Sequence, residues 1–222
     1  MDNQRRSIII NGITLNVFQE KDMISDYVLN HGKFWENDTF ESWKHYFPST
    51  GLMLDIGANI GNHCLMFHNS FPELKIMAFE MSYNNFKLLK ENVSSYSHCI
   101  DAFNIAVSDS VKVIYYDDSY DQNNGGLCVK TEGTYSNLSI PLDSLHMSQP
   151  VSFVKIDIEG HEEYAYKGMK ELLMRDKPLI WAEDWVQSGH VQGKSSVQFL
   201  LDMGYEVIEN IVGDFLLKHK DN

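Results

Sequence analysis

The sequence predicts an α/β fold, a doubly wound and mostly parallel sheet preceded by a hairpin and helical extension, and three observations carry that expectation. From residue 52 onward short apolar strands alternate with helical segments, the pattern of βαβ units building a parallel sheet. A loop of small residues, Gly57-Ala58-Asn59-Ile60-Gly61, joins the first such strand to a helix. Between residues 111 and 141 the pattern changes to polar–apolar alternation, which reads as an antiparallel β insertion at an edge.

A chain of 222 residues fits one domain with a sizeable core. Residues 1–50 are expected to form a hairpin and helical cap within that domain, and residues 51–222 its main body. Ser7 to Ile10 and Ile13 to Phe18 flank Asn11-Gly12, the dipeptide that supplies the positive φ angles of a two-residue hairpin turn. Helices are expected at residues 22–30 and 38–47, and Pro48 and Gly51 close the extension.

Strands are then expected at residues 52–56, 75–79, 105–107, 151–156 and 179–182. The intervening helices start near Asn62, Ser82 and Gly160, with Phe86, Leu89 and Val93 on one apolar face at helical spacing. In the insertion, residues 111–115 and 126–130 read as strands flanking a mobile tip at 117–126. A last helix at 195–203 and strands at 206–208 and 214–217 finish the sheet.

Composition removes several function classes. No stretch approaches the roughly 20 apolar residues of a membrane span, and the apolar run after Arg5-Arg6 is broken by Asn11-Gly12, so neither a span nor a targeting signal is read. Three widely spaced cysteines, Cys64, Cys99 and Cys128, suit neither a disulfide framework nor a zinc site and point to a reducing, cytoplasmic setting. A formal charge of −13, from 18 Lys and Arg against 31 Asp and Glu, opposes nucleic acid as a partner.

The loop after the first parallel strand lets a backbone approach a nucleotide-like ligand at a helix N-terminus. Asn59 replaces the second glycine of the dinucleotide pattern G-x-G-x-x-G, where a pyrophosphate requires glycine. Glu80 ends the next strand about 20 residues on, where a carboxylate can accept both ribose hydroxyls. Asp55 can orient the loop or hold a cofactor's amino group. Gly57, Asn59 and Gly61 complete the expected cofactor cradle.

The segments Leu54-Asp55-Ile56-Gly57-Ala58-Asn59-Ile60-Gly61, Ala78-Phe79-Glu80, Asn104 to Asp109 and Val154 to Glu162, in that order, resemble the FkbM family of methyltransferases. The likeness runs from about Trp35-Glu36 to Glu183, and its most specific part is Lys155-x-Asp157-x-Glu159-Gly160-x-Glu162. Where the family usually has proline after the glutamate of the second strand, this chain has Met81. The resemblance implies a Rossmann-like class I methyltransferase sheet with an antiparallel last strand. It also implies S-adenosylmethionine as cofactor, held by the loop and Glu80, with Ala106 to Asp109 beside the adenine. The expected reaction is O-methylation of a small-molecule or glycan acceptor, a sugar hydroxyl first and a polyketide hydroxyl second, and whether the chain acts alone or as a module beside glycosyltransferases stays open.

Ligands of open α/β sheets bind beyond the carboxyl ends of the strands, so Asp157 and Glu159 should share a crevice with Gly57 and Glu80. A sugar hydroxyl is a weak acid and needs a base, a divalent metal or both. The density of carboxylates at Asp157, Glu159, Glu162, Glu183 and Asp184 suits Mg2+ or Mn2+. By likeness to metal-dependent sugar O-methyltransferases, Asp157, Glu183 and Asp184 would be metal ligands, Asp157 also catalytic, and Glu159 or His161 the base. Helix capping is the competing account of Asp157 and Glu159. An internal ion pair with Glu80 or Asp157 is the expectation for Lys155, and core packing that for Trp35, Trp181 and Trp185. A nicotinamide-dependent oxidoreductase and a non-catalytic cofactor-binding module remain the alternatives.

Overall fold

The computed structural model describes residues 5–19, 22–117, 127–184, 186 and 195–222. The chain opens with β1 (Arg5–Ile10) and β2 (Ile13–Phe18), paired antiparallel in register from Arg5↔Phe18 to Ile10↔Ile13. Asn11 and Gly12 take φ of 50° and 86°, the two left-handed conformations that the turn demands. Helix α1 (Met23–His31) starts at Asp22, whose carboxylate accepts from the Ser25 amide at 2.9 Å, and stops at a left-handed Gly32. Helix α2 (Asn37–Trp43) follows.

The main body is β3 (Gly51–Ile56), α3 (Asn62–Ser70), β4 (Leu74–Phe79), α4 (Tyr83–Asn92), β5 (Ile100–Phe103), β6 (Ala106–Val107), β7 (Lys112–Tyr116), β8 (Tyr135–Ile140), β9 (Val151–Ile156), α5 (Glu162–Gly168), α6 (Lys170–Asp176), β10 (Leu179–Glu183), α7 (Val197–Asp202), β11 (Tyr205–Ile211) and β12 (Asp214–His219). Seven strands form the central sheet in the order β11-β12-β10-β9-β3-β4-β5. Strands β10, β9, β3, β4 and β5 run parallel, and β12 enters antiparallel between β10 and β11. After β5 the chain crosses to β9 on the other side of β3, so the topological switch lies between β3 and β9.

Alternation along the strands sorts the core into two layers. Met53, Phe153 and Trp181 face the hairpin, α1, α2, α3 and α4. Leu52, Leu54, Ile56, Val154 and Ile156 face α5, α6 and α7. Trp43 of α2 packs edge-on against Trp181 with centroids 5.4 Å apart, and Phe47 stacks on the same ring at 5.9 Å. Burying each side chain of this size contributes roughly 1.5 to 3 kcal/mol. The side chain of Asn92 ties the hairpin to α4 and to the loop after β3, exchanging hydrogen bonds with Asn16 and donating to the Ile60 carbonyl at 2.8 Å.

Two expected strands fall elsewhere. The last parallel strand on the β4 side is β5, not residues 105–107, because Asn104 ends the pairing by donating its side-chain amide to the carbonyls of Glu80 and Met81. The chain then leaves the sheet, and β6 joins a three-stranded sheet in the order β6-β8-β7. Within that insertion β7 pairs with β8 rather than with the expected strand at 126–130; of its described residues, 127–130, only Lys130 makes a bridge, to Tyr115. The tip expected at 117–126 lies outside the described residues beyond Asp117. Among the described residues no helix is long and apolar enough to cross a membrane.

Candidate active site

The loop between β3 and α3 is shaped by a close approach. Gly57 has φ of 87°, and a Cβ there would stand 1.9 Å from the Asp157 carbonyl oxygen. No residue but glycine fits. The amides of Gly57 and Ala58 donate to the Phe79 carbonyl at 2.9 and 3.0 Å, fastening the loop to the end of β4. Asn59 follows with φ of 49°, a conformation that asparagine tolerates. Its amide donates to Glu80 Oε2 at 2.9 Å, while Glu80 Oε1 accepts from the Ser82 amide at 2.6 Å. Glu80 is thereby fixed at the crevice wall by the loop on one side and the start of α4 on the other.

That crevice is lined by Gly57, Asn59, Glu80, Ala106, Asp157, Glu159 and His161 together with apolar Ile56, Phe79, Val107, Leu127 and Ile158. It opens at the carboxyl ends of β3, β4 and β9, as expected at a switch point. Asn59 Oδ1 in its wall has no hydrogen-bond partner among the described residues; Asp55 Oδ1 has none either, but Asp55 is buried outside the crevice lining. Unmatched buried acceptors are costly, and Asn59 Oδ1 suits a ligand carrying an amino or hydroxyl donor. Asp55 lies beneath the loop, where Cys64 Sγ donates to Oδ2 at 3.0 Å, and burial raises its carboxyl above the usual range.

At the other end of the crevice Asp157, Glu159 and Glu183 bring ligand oxygens within 4.8 Å of one another. Glu159 is held with φ of 55°, ahead of Gly160 at 90°. Non-glycine residues in this region are uncommon and cluster at functional sites. Burial first, and then Asp157 and Glu162, push the Glu159 carboxyl up to about 7. Burial and the neighbouring Asp157, to which it is hydrogen-bonded, push Glu183 up to about 9. Glu162 turns inward to accept from the amides of Ile158 and Gly160, both at 3.1 Å, so it braces the turn that presents Glu159.

Lys155 sits under Asp157 and is 1% exposed. Its Nζ lies 3.5 Å from Asp157 Oδ2, 3.7 Å from Glu36 Oε2 and 5.2 Å above the Trp181 ring. Burial disfavours its charge, but Glu36, Asp157 and more distant carboxylates outweigh burial and raise its pKa. The expected internal pairing of Lys155 therefore occurs with Asp157, and its second partner is Glu36 rather than Glu80. Glu36 also meets His63 Nε2 at 2.8 Å, and Lys155 and His63 together overcome burial to hold its carboxyl down at about 2.

Other expected site residues stand apart. Asp184 is 6% exposed, and its Oδ2 accepts from Ser195 Oγ, Ser196 Oγ and the Val197 amide at 2.9, 3.1 and 2.9 Å. It caps α7 and does not join Asp157 and Glu183; Glu159 takes the third position instead. Asp109 binds Lys112 at 2.7 Å and is not among the residues lining the crevice. Gly61 packs on Leu89 and sets the start of α3. His161 lines the crevice, but its Nε2 is engaged by Ser108 Oγ at 2.9 Å and its ring stacks on Tyr164. Trp181 is fully buried core, Trp35 is half-buried with its backbone bonded twice to the Asn62 side chain, and Trp185 lies outside the described residues.

A seven-stranded sheet with its antiparallel strand next to β10, and a loop and acidic strand ends around the switch point, define the class I methyltransferase fold. The model of the methyltransferase FkbM domain matches residues 55–207, more than half of the sequence, and the chain belongs to that family. It is 31% identical over 125 residues to the hexuronic acid methyltransferase AglP of Haloferax volcanii, an alignment covering 55% of this chain and 51% of that protein. The chain thus spans about half the length of this relative. The crystal structure of methyltransferase FkbM from Methylobacillus flagellatus superposes with a TM-score of 0.56 at 17% identity, covering 78% of this chain and 44% of that one. A structure from Klebsiella pneumoniae, provisionally assigned as an O-methyltransferase, gives 0.53 at 13% identity and covers 90% and 91%. At these identities the two structures establish the fold.

Proposed function

We propose that the protein is an S-adenosylmethionine-dependent O-methyltransferase whose acceptor is a sugar hydroxyl of a glycan or glycosylated metabolite. The observation that carries this reading is the single crevice in which Glu80 and Asn59 stand at one end and Asp157 and Glu159 at the other. Family membership and the sugar named for the Haloferax relative support it.

When bound, S-adenosylmethionine supplies a methyl group on a sulfonium, ready for in-line displacement. Asn59 Oδ1, an unmatched buried acceptor in the crevice wall, suits an amino or hydroxyl donor of the cofactor, and Glu80 stands where a carboxylate accepts from a ribose. Asp157 orients the acceptor hydroxyl, and Glu159 takes its proton, because a carboxyl titrating near neutrality suits a general base. The engaged Nε2 of His161 gives that residue a supporting place in the wall.

Three carboxylates within 4.8 Å suggest Mg2+ or Mn2+ by spacing alone. The residues do not fit a metal well, since Asp184 is spent on α7 and the Lys155 ammonium already stands against Asp157. No step is assigned to a metal.

Calorimetric titration with S-adenosylhomocysteine, with NAD as control, tests the reading. Micromolar binding of the first and none of the second is expected; binding of NAD alone overturns it. Asp157→Ala should keep S-adenosylhomocysteine binding and lose methyl transfer in a screen of neutral and uronic sugars, whereas Glu80→Ala should weaken S-adenosylhomocysteine at least about tenfold, some 1.4 kcal/mol.

A further inference from the structure

We propose that Lys155, held from behind by Glu36 of the N-terminal extension, is the built-in cation of the reacting end and, from beneath Asp157, keeps a divalent metal out of the adjoining carboxylate cluster. The inference rests on the reading of Asp157 as part of the reacting end.

Strand alternation puts Lys155 on the same face as Asp157, two residues on, so the ammonium rises directly beneath that carboxylate. It cannot leave. Trp181 on the adjacent strand lies opposite Lys155 in the sheet register and closes the space with its ring, and the ammonium is shut off from water. A buried ammonium persists only beside ionised partners. Glu36, whose carboxyl is held down at about 2, is such a partner at 3.7 Å, and Asp157 Oδ2 lies 3.5 Å away on the other side.

Glu36 is itself fixed by three devices. It precedes α2 with φ of 59°, the neighbouring Trp35 backbone is clasped by the Asn62 side chain from both directions, and His63 holds Oε2. Asn62 and His63 open α3, the helix that follows the cofactor loop. The extension therefore delivers a carboxylate whose work is done inside the sheet, through Lys155, on the group facing the acceptor. A dication entering among Asp157, Glu159 and Glu183 would have to sit beside this immovable charge, and like charges at such range repel strongly away from water.

Mn2+ titration of the full chain saturated with S-adenosylhomocysteine, followed by calorimetry and electron paramagnetic resonance, decides the matter. The wild type should show no saturable Mn2+ site, Lys155→Met should acquire one, and Lys155→Arg should behave as the wild type. A wild-type Mn2+ site that disappears in Asp157→Asn overturns the proposal, as does a folded Lys155→Met protein that gains no Mn2+ site. Should Lys155→Met fail to fold, the wild-type titration and its Asp157→Asn control still decide. Failure of S-adenosylhomocysteine to bind at all would instead strike the methyltransferase reading, so the two failures are distinguishable.

Discussion

Single residues at the seam between β3 and β9 carry the sharpest expectations. Gly57→Ala would drive a methyl group into the Asp157 carbonyl, 1.9 Å from the position of its Cβ, so loop and β9 must separate. Loss of S-adenosylhomocysteine binding in calorimetry is expected, with a lowered melting temperature. Glu159, pushed up to about 7 chiefly by burial, must be ionised to act as a base. The kcat/KM for methyl transfer should therefore rise with pH below about 7 and level off above it, and Glu159→Gln should abolish that limb. A rate independent of pH across this range would remove Glu159 from the role. At this scale the gathering of Gly57, Asn59, Glu80, Asp157 and Glu159 around one crevice was legible because it is written in local motifs at strand ends. Glu36 was not, because its partners Lys155 and His63 are remote in sequence and meet it only once α2 docks beside α3.

Among elements, the end of β10 shows why two adjacent acids cannot share a task. Successive residues of a strand point to opposite faces. Glu183 turns toward Asp157 while Asp184 turns to the start of α7. The Glu183-Asp184 pair was read as two ligands, although the period of the strand already separated them. Asp184→Ala should cost about 1 kcal/mol, the usual worth of a helix cap, visible in urea unfolding, and leave S-adenosylhomocysteine affinity unchanged. A loss of affinity would return Asp184 to the site. The strands that escaped the sequence reading failed for a related reason. β5 (Ile-Asp-Ala-Phe) is short and carries a charge, and β8 (Tyr-Ser-Asn-Leu-Ser-Ile) is polar on one face, so neither shows the apolar run that marked β3, β4 and β9. The apolar residues 105–107 drew the assignment instead.

The whole molecule stores an excess of buried acid. Glu183 is pushed up to about 9 and Asp214 to about 7, both primarily by burial, whereas the unfolded chain would ionise them near ordinary carboxyl values. The folded state thus holds more protons than the unfolded state between about pH 5 and 9, and stability must fall as pH rises through that window. Glu36, held at about 2, works in the opposite direction only at acid pH below its ordinary value. Thermal melting of the ligand-free protein should show a midpoint declining from pH 5 to pH 9, and Glu183→Gln should flatten the decline. A midpoint that climbs over this range would mean that the acids are ionised in the fold. The sheet order follows from alternating strands and helices that any reader of the sequence can find, but the charge balance of its interior follows from packing.

The contact between Gly57 and the Asp157 backbone also bears on how such a protein can change over generations. The loop and the main chain at Asp157 lie too close to admit even one methyl group between them, so a substitution that reshapes one must displace the other. Change is therefore accommodated more easily away from this seam, in the three-stranded sheet of β6, β7 and β8.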